Sequence, residues 1–240
     1  MRAEHAERRA GRIASARPAP ATRDPLPQRA GDAEDRLGIV DHVGTRSAIL
    51  DGAMSEWFQN YGFAEVFPEL TIGAYPLDAD DVGALAERGI RRVLNLSQDS
   101  EYHDEERSAA ERALAAHGIE EIRVGLTDFG HLPTERLDEA VRIAVAWMDE
   151  CEPTYVHCRA GFQRSASVAA GAVAVFNDVD IETALQWVRR HKHTADPLPH
   201  QRADLLEWWV TRGRQQAAAH ASARASWSAT AADAASSDPA

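Results

Sequence analysis

From residue 63 to about residue 213, short apolar runs rich in β-branched residues alternate with longer segments of helical period. "AEVFPELTIGAYP" reads as two short strands broken at Pro68. "DADDVGALAERG" reads as a helix capped by Asp78 and stopped by Gly89. "IRRVLNLS" is strand-like, and "HDEERSAAERALAAHG" is helical up to Gly118. "IEEIRVGL" is strand-like again, followed by the amphipathic "PTERLDEAVRIAVAWMDE" with Leu137, Val141, Ala144, Val145 and Met148 on one face. "TYVH" is a short buried strand, and "SASVAAGAVAVF" a helix apolar on every side, which implies burial all round. Two further helices follow, "DIETALQWVRRHK" capped by Asp180 and "HQRADLLEWWVTRG". Strands that alternate with helices imply an α/β sandwich, a single three-layer domain with a mostly parallel sheet of about four or five strands between helices.

The flanks lack this pattern. Residues 1–54 are rich in Arg, Ala and Pro and are expected to be a disordered tail, with 55–215 the folded domain. Residues 216–240 are Ala/Ser-rich, expected as a disordered tail or frayed helix. Met54, where ordered patterning begins, is an alternative translation start. The net charge of −12 lies in the folded part: residues 55–215 hold 16 basic and 28 acidic residues. Such a field argues against duplex nucleic acid or an anionic membrane as partner. No apolar run approaches the ~18–20 residues of a membrane span, and the N-terminus has no apolar signal core. A cytoplasmic monomer is the expectation. The two cysteines, Cys151 and Cys158, would stand ~15–20 Å apart if the strand between them rises about 3.3 Å per residue. A disulfide needs less than about 7 Å, so two free thiols and a reducing compartment are expected.

One loop concentrates chemistry. "HCRAGFQRS" places Cys158 directly after the "TYVH" strand and Arg164 at the start of the buried helix, with Gly161 between. In open α/β sheets, sites form beyond the carboxyl ends of strands. A helix beginning near Ser165 aims its free N–H groups and positive dipole end at that loop, which suits an anion. The N–H groups of Arg159, Ala160, Gly161, Phe162 and Gln163 can curl into a nest around a phosphate. Arg164 can fork two hydrogen bonds onto its oxygens. The same surroundings favour thiolate over thiol at Cys158, giving a nucleophile beside a bound phosphate. The competing reading of Cys158 is a buried structural cysteine.

These residues resemble the H-C-x-x-G-x-x-R-S signature of the cysteine-dependent protein tyrosine phosphatase superfamily. Residues 60–210 are most similar to its small dual-specificity phosphatases, down to an opening that ends in "VLNL". The resemblance implies that fold, phosphate-monoester hydrolysis through a cysteinyl-phosphate intermediate, and no cofactor or metal. It also implies an aspartate about thirty residues before the cysteine, serving as acid and then base. "GLTDFGHLP" offers Asp128 there, for which the alternative is an ordinary turn aspartate. Asp138, Asp149 and Glu135 fall in a helix and are poorer candidates. Ser165 would hydrogen-bond the Cys158 sulfur and ease its departure, or simply begin the helix. His157 would brace the loop. Arg159 would attract the substrate at the rim, or be a solvated charge.

The substrate is a phosphorylated protein or a small phosphorylated metabolite. The uncharged "AGFQ" counts against polyphosphorylated inositides. "CRAG" also resembles the start of a rhodanese loop, but that loop is one residue shorter, so sulfur transfer is the weaker reading. With Cys158, Arg164 and Asp128 all present, nothing supports a catalytically dead binding module. Phe129, His131 and Phe162 are candidates to wall the pocket. His191, His193 and His200 lack a cysteine or carboxylate cluster to complete a metal site, and Trp208 and Trp209 read as helix packing.

Overall fold

The structure is a computed structural model that describes residues 54–103 and 105–236, the last nine by backbone alone. The expected N-terminal tail lies outside the described residues. The chain runs through α1 (Glu56–Tyr61), β1 (Phe63–Phe67), β2 (Leu70–Ala74), α2 (Ala79–Glu87), β3 (Arg92–Asn95), a 3₁₀ turn at Asp99–Glu101 and α3 (Glu106–Ala116). It continues through β4 (Glu120–Arg123), α4 (Thr134–Asp149), β5 (Thr154–Cys158), α5 (Arg164–Asn177), α6 (Ile181–His191) and α7 (Pro199–Trp208). A π-helical turn at Trp209–Gly213 leads into α8 (Arg214–Ser236).

The strands form one five-stranded sheet in the order β1-β2-β5-β3-β4. Only β1 is antiparallel, joined to β2 by a hairpin through Pro68. The β2–β5, β5–β3 and β3–β4 pairs are parallel. All five residues of the central β5 are buried, as a parallel strand covered on both faces requires. Successive side chains point to opposite faces, and the core divides accordingly. Val156 and Cys158 face a large cluster built from α4 to α8, while Tyr155 faces a smaller one with Phe58, Val82, Leu85 and Leu114. The α5 helix is buried from Arg164 to Phe176. Its small side chains let it lie close to the sheet and its neighbouring helices, and its first turn therefore abuts the end of β5. Asp78 caps α2 and Asp180 caps α6 as expected.

Two elements depart from the expected pattern. The short α1 has no sustained apolar period to reveal it. It is fixed by tertiary hydrogen bonds: Asp81 accepts from the Ser55 backbone N–H and hydroxyl (2.8 and 2.7 Å). At its other end the Lys192 ammonium donates to the Tyr61 carbonyl at 2.8 Å. The segment after residue 215, for which a disordered tail or a frayed helix was expected, is helical to Ser236. Its low complexity hid specific anchors. Ala217 is buried, Gln216 donates to Asp138 at 2.5 Å, and His220 lies 2.9 Å from Asp149. Asp138 also accepts from the indole of the core residue Trp208 at 3.1 Å, so both α4 aspartates serve packing. Among the described residues, no helix is long and apolar enough to cross a membrane.

Candidate active site

The β5–α5 junction forms the expected loop. Gly161 has φ +76°, and a Cβ there would come within 2.5 Å of the Gly73 carbonyl carbon, so the loop lies directly on the backbone of β2. Two loop carbonyls are held from outside: Arg159 accepts from Tyr75 N–H (3.1 Å) and Phe162 from Asp196 N–H (2.7 Å). In a trans peptide the N–H points opposite to the C=O, so the N–H groups of Ala160 and Gln163 turn towards the inside of the loop.

Cys158 is buried, and its Sγ lies 3.4 Å from the Ser165 hydroxyl. Cys151 is exposed, and both thiols are free. Arg164 has a relative exposure of only 1%. Its Nη1 donates to Glu101 Oε1 (2.6 Å) and to the Leu126 carbonyl (2.9 Å). Its Nη2 donates to Glu101 Oε2 (2.6 Å) and pairs with Asp128 Oδ1 (2.8 Å). Its Nε is buried with no hydrogen-bond partner. Burial alone would weaken the guanidinium charge. The Glu101 hydrogen bonds and the charges of Cys158, Glu101 and Asp128 outweigh that and raise its pKa.

Cys158, Ser165, Arg164 and Asp128 thus converge. Arg159 does not aim into the loop. Its guanidinium donates to the Glu101 carbonyl, lies near His103 Nε2 (3.3 Å), and stacks over the rings of Trp57 and Tyr75 at 5.3 and 5.6 Å. Phe162 packs on Tyr61 with ring centroids 5.5 Å apart, and Tyr61 on Trp57 at 4.1 Å. These aromatic side chains border one side of the loop. Phe129 is 66% exposed beside Asp128. His191 bonds its own helix at the Trp187 carbonyl, whereas His200 bonds the loop after Asp128.

Glu101 escaped the sequence reading. It is one of 38 acidic residues, and nothing in its neighbourhood singles it out. The signal is topological: once β3 is known to pair with β5, the turn after β3 must lie beside the loop after β5. A buried arginine there then requires a carboxylate.

His157 is fully enclosed. Burial pushes its pKa down to about 3, helped by Arg164 and opposed by its contact with the Cys158 carbonyl. It is therefore neutral, with Nδ1 3.4 Å from that carbonyl and its ring stacked on Tyr155. An unfolded histidine titrates near 6.5. Above that pH both states are neutral and the residue is indifferent to folding. Below it the unfolded chain takes up a proton that the folded chain refuses, so stability falls as pH drops from about 6.5 towards 3, by about 1.4 kcal/mol per pH unit from this group. Urea unfolding at pH 7, 6 and 5 should show His157→Asn losing stability less steeply than the parent; parallel slopes would refute the assignment.

A family model described as "Polymorphic toxin system, DSP-PTPase phosphatase" matches residues 74–176, from the end of β2 through α5. Human phosphatidylglycerophosphatase and protein-tyrosine phosphatase 1 is 25% identical over 164 residues, 68% of this chain and 78% of the relative. Dual specificity protein phosphatase 22 of Xenopus tropicalis is 29% identical over 140 residues, 57% of this chain and 59% of the relative. Among solved structures, PTPMT1 in complex with PI(5)P superposes with a TM-score of 0.55 at 21% identity, covering 66% of this chain and 98% of that one. Tk-PTP in the active form gives 0.55 at 21% identity, covering 62% and 97%. At such identities the superpositions speak for the fold, a protein tyrosine phosphatase-like sheet and helices. The matched segment contains the loop, the arginine and the carboxylates around it, and over these residues the chain is similar to the phosphatases that this family model describes.

Proposed function

We propose that the chain hydrolyses phosphate monoesters of aryl or alkyl alcohols in proteins, in two steps through a cysteinyl phosphate. The observation that carries this reading is the state of Arg164. Its Nη1 donates to Glu101, Leu126 and, at 3.5 Å, Leu96, and its Nη2 donates to Glu101, while Asp128 faces Nη2 as an ion pair at 2.8 Å and Nε has no hydrogen-bond partner. A phosphate entering the loop can claim the unpartnered Nε–H and displace Asp128 from its ion pair with Nη2. Substrate binding then frees the Asp128 carboxyl at the moment a proton donor is needed.

In the first step the Cys158 thiolate attacks phosphorus, the P–O bond to the leaving group breaks, and Asp128 protonates the departing oxygen. In the second, Asp128 as carboxylate takes a proton from water, whose oxygen attacks phosphorus. The S–P bond breaks, and Ser165, 3.4 Å away, donates a hydrogen bond to the departing sulfur. The N–H groups inside the loop and the start of α5 stabilise the charge on the equatorial oxygens in both steps.

The aromatic border of Trp57, Tyr61 and Phe162 suits a flat leaving group such as a phosphotyrosine ring. Because Arg159 is engaged elsewhere, Arg164 is the one guanidinium that the loop itself turns to a phosphate, which disfavours polyphosphorylated inositides. A second reading, a small lipid or sugar phosphate, is favoured by the name of the phosphatidylglycerophosphatase relative. The family's description points to a polymorphic toxin system as the setting, and we take the cytoplasm as the compartment. A phosphate-release screen over phosphotyrosyl and phosphoseryl peptides, phosphatidylglycerol phosphate, and sugar and inositol phosphates separates these readings, with Cys158→Ser as blank. Highest kcat/KM on the lipid or sugar phosphates would overturn the protein-substrate reading. Asp128→Asn is expected to lower kcat on an aryl phosphate on the order of 10²–10⁴-fold and to remove the basic limb of its pH profile. An unchanged profile would move the acid elsewhere.

A further inference from the structure

The turn that carries Asp128 is strained: residues 127–130 are exposed or half-buried, and only the flanking Leu126 and Leu132 reach the core. Phe129 has φ +53°, a conformation that is an outlier for a bulky side chain, while its ring stands in solvent. Gly130 N–H closes the corner onto the Thr127 carbonyl at 3.1 Å. A Cβ on Gly130 would lie 2.8 Å from Thr127 Cβ, so only glycine fits. Such a turn persists when its surroundings over-determine it.

The first turns of α7 supply that grip. His200 Nε2 lies 3.1 Å from the carbonyl oxygens of both Phe129 and Gly130 and donates to them. Gln201, fully buried, donates from Nε2 to the Gly130 carbonyl at 3.0 Å while its Oε1 accepts from Leu198 N–H at 3.2 Å. Asp204 Oδ2 accepts from Leu132 N–H at 2.7 Å, and His131 Nδ1 donates to the same carboxylate at 3.0 Å. Every backbone group gripped lies within residues 129–132, directly after Asp128. On its other side, Asp128 itself reaches Arg164.

We propose that His200, Gln201 and Asp204 are positioning residues that clamp the turn and so hold the Asp128 carboxyl over the loop. They act through the backbone and touch no reacting atom. The inference rests on the reading of Asp128 as proton donor. Their effect is large for a small motion, because a misplacement of about 1 Å can cost on the order of 10²-fold in rate.

Leaving-group dependence separates a clamp from a merely structural role. A proton donor matters for the basic leaving oxygen of phenyl phosphate and hardly at all for 2,4-dinitrophenyl phosphate. His200→Ala, Gln201→Ala and Asp204→Ala are each expected to lower kcat/KM on phenyl phosphate about 10- to 10²-fold. On the dinitrophenyl ester the loss should stay within about 3-fold, with the inhibition constant of inorganic phosphate likewise little changed. Asp204→Asn keeps an acceptor for Leu132 N–H and should restore most of the rate. Equal losses on both esters, or no loss on either, would overturn the clamp. Asp128→Asn on the same two substrates is the control. If it too ignores the leaving group, the reading of Asp128 as acid falls. If it discriminates and the α7 variants do not, the clamp alone falls.

Discussion

Cys158→Ser is expected to lower hydrolysis of an aryl phosphate by at least about 10⁴-fold, since the variant loses the group that forms the covalent bond to phosphorus. The substitution is nearly isosteric in a buried position. The loop geometry does not depend on the sulfur: Gly161 rests on Gly73, and the Arg159 and Phe162 carbonyls are held from outside. Inorganic phosphate should therefore still bind, within about 10-fold of the parent affinity, because Arg164 and the inward N–H groups remain. Cys151→Ser is the matched control. Cys151 is exposed and lies before β5, whereas Cys158 ends that strand, so its loss should leave turnover unchanged. Wild-type turnover by Cys158→Ser, or loss of turnover by Cys151→Ser, would assign the nucleophile wrongly. Steady-state kinetics with phosphate as competitive inhibitor decide both points.

The parts legible in the sequence were those where local pattern and tertiary environment agree. A β-branched run covered on both faces and an Ala/Val helix with no polar side can only be a central strand and a core helix. The loop between them was therefore placed before its geometry was known, and Cys158, Arg164 and Ser165 came with it. Asp128 was reached through resemblance, because a turn aspartate has no periodicity to mark it. What stayed hidden depends on long-range partners. α1 is fixed by Asp81 and Lys192, residues 26 and 131 positions from their contacts. α8 reads as low complexity because the few residues that anchor it are spread among alanines. Arg159 looked like a rim charge and proves to be tied to the Glu101 turn. Gln201 and Asp204 looked like ordinary residues of a helix start, and their contacts with the Asp128 loop span about 70 residues of sequence.

The Arg164–Glu101 pair tests whether this buried charge is kept for stability or for chemistry. The two side chains are 1% and 8% exposed, and their bidentate contact links the turn after β3 to the start of α5. Desolvating both groups offsets much of their attraction, while removing one partner strands the other. Glu101→Leu is therefore expected to destabilise the fold by about 3–5 kcal/mol, leaving Arg164 with Asp128 as its sole carboxylate. Arg164→Met should be similarly damaging, with Glu101 stranded instead. The double variant Arg164→Met/Glu101→Leu removes both charges at roughly conserved volume and should recover stability to within about 1–2 kcal/mol of the parent. It should recover no activity: without the guanidinium, phosphate loses its fork of donors, and kcat/KM is expected to stay about 10³-fold or more below the parent. Chemical denaturation and aryl-phosphate kinetics on the same four proteins give a double-mutant cycle. Strong coupling in stability with no rescue in rate would mean that the fold tolerates an ion pair it does not need, because the phosphate does need it. A double variant as unstable as the sum of the singles would instead make the pair a structural requirement, with Glu101 more than a holder for the arginine.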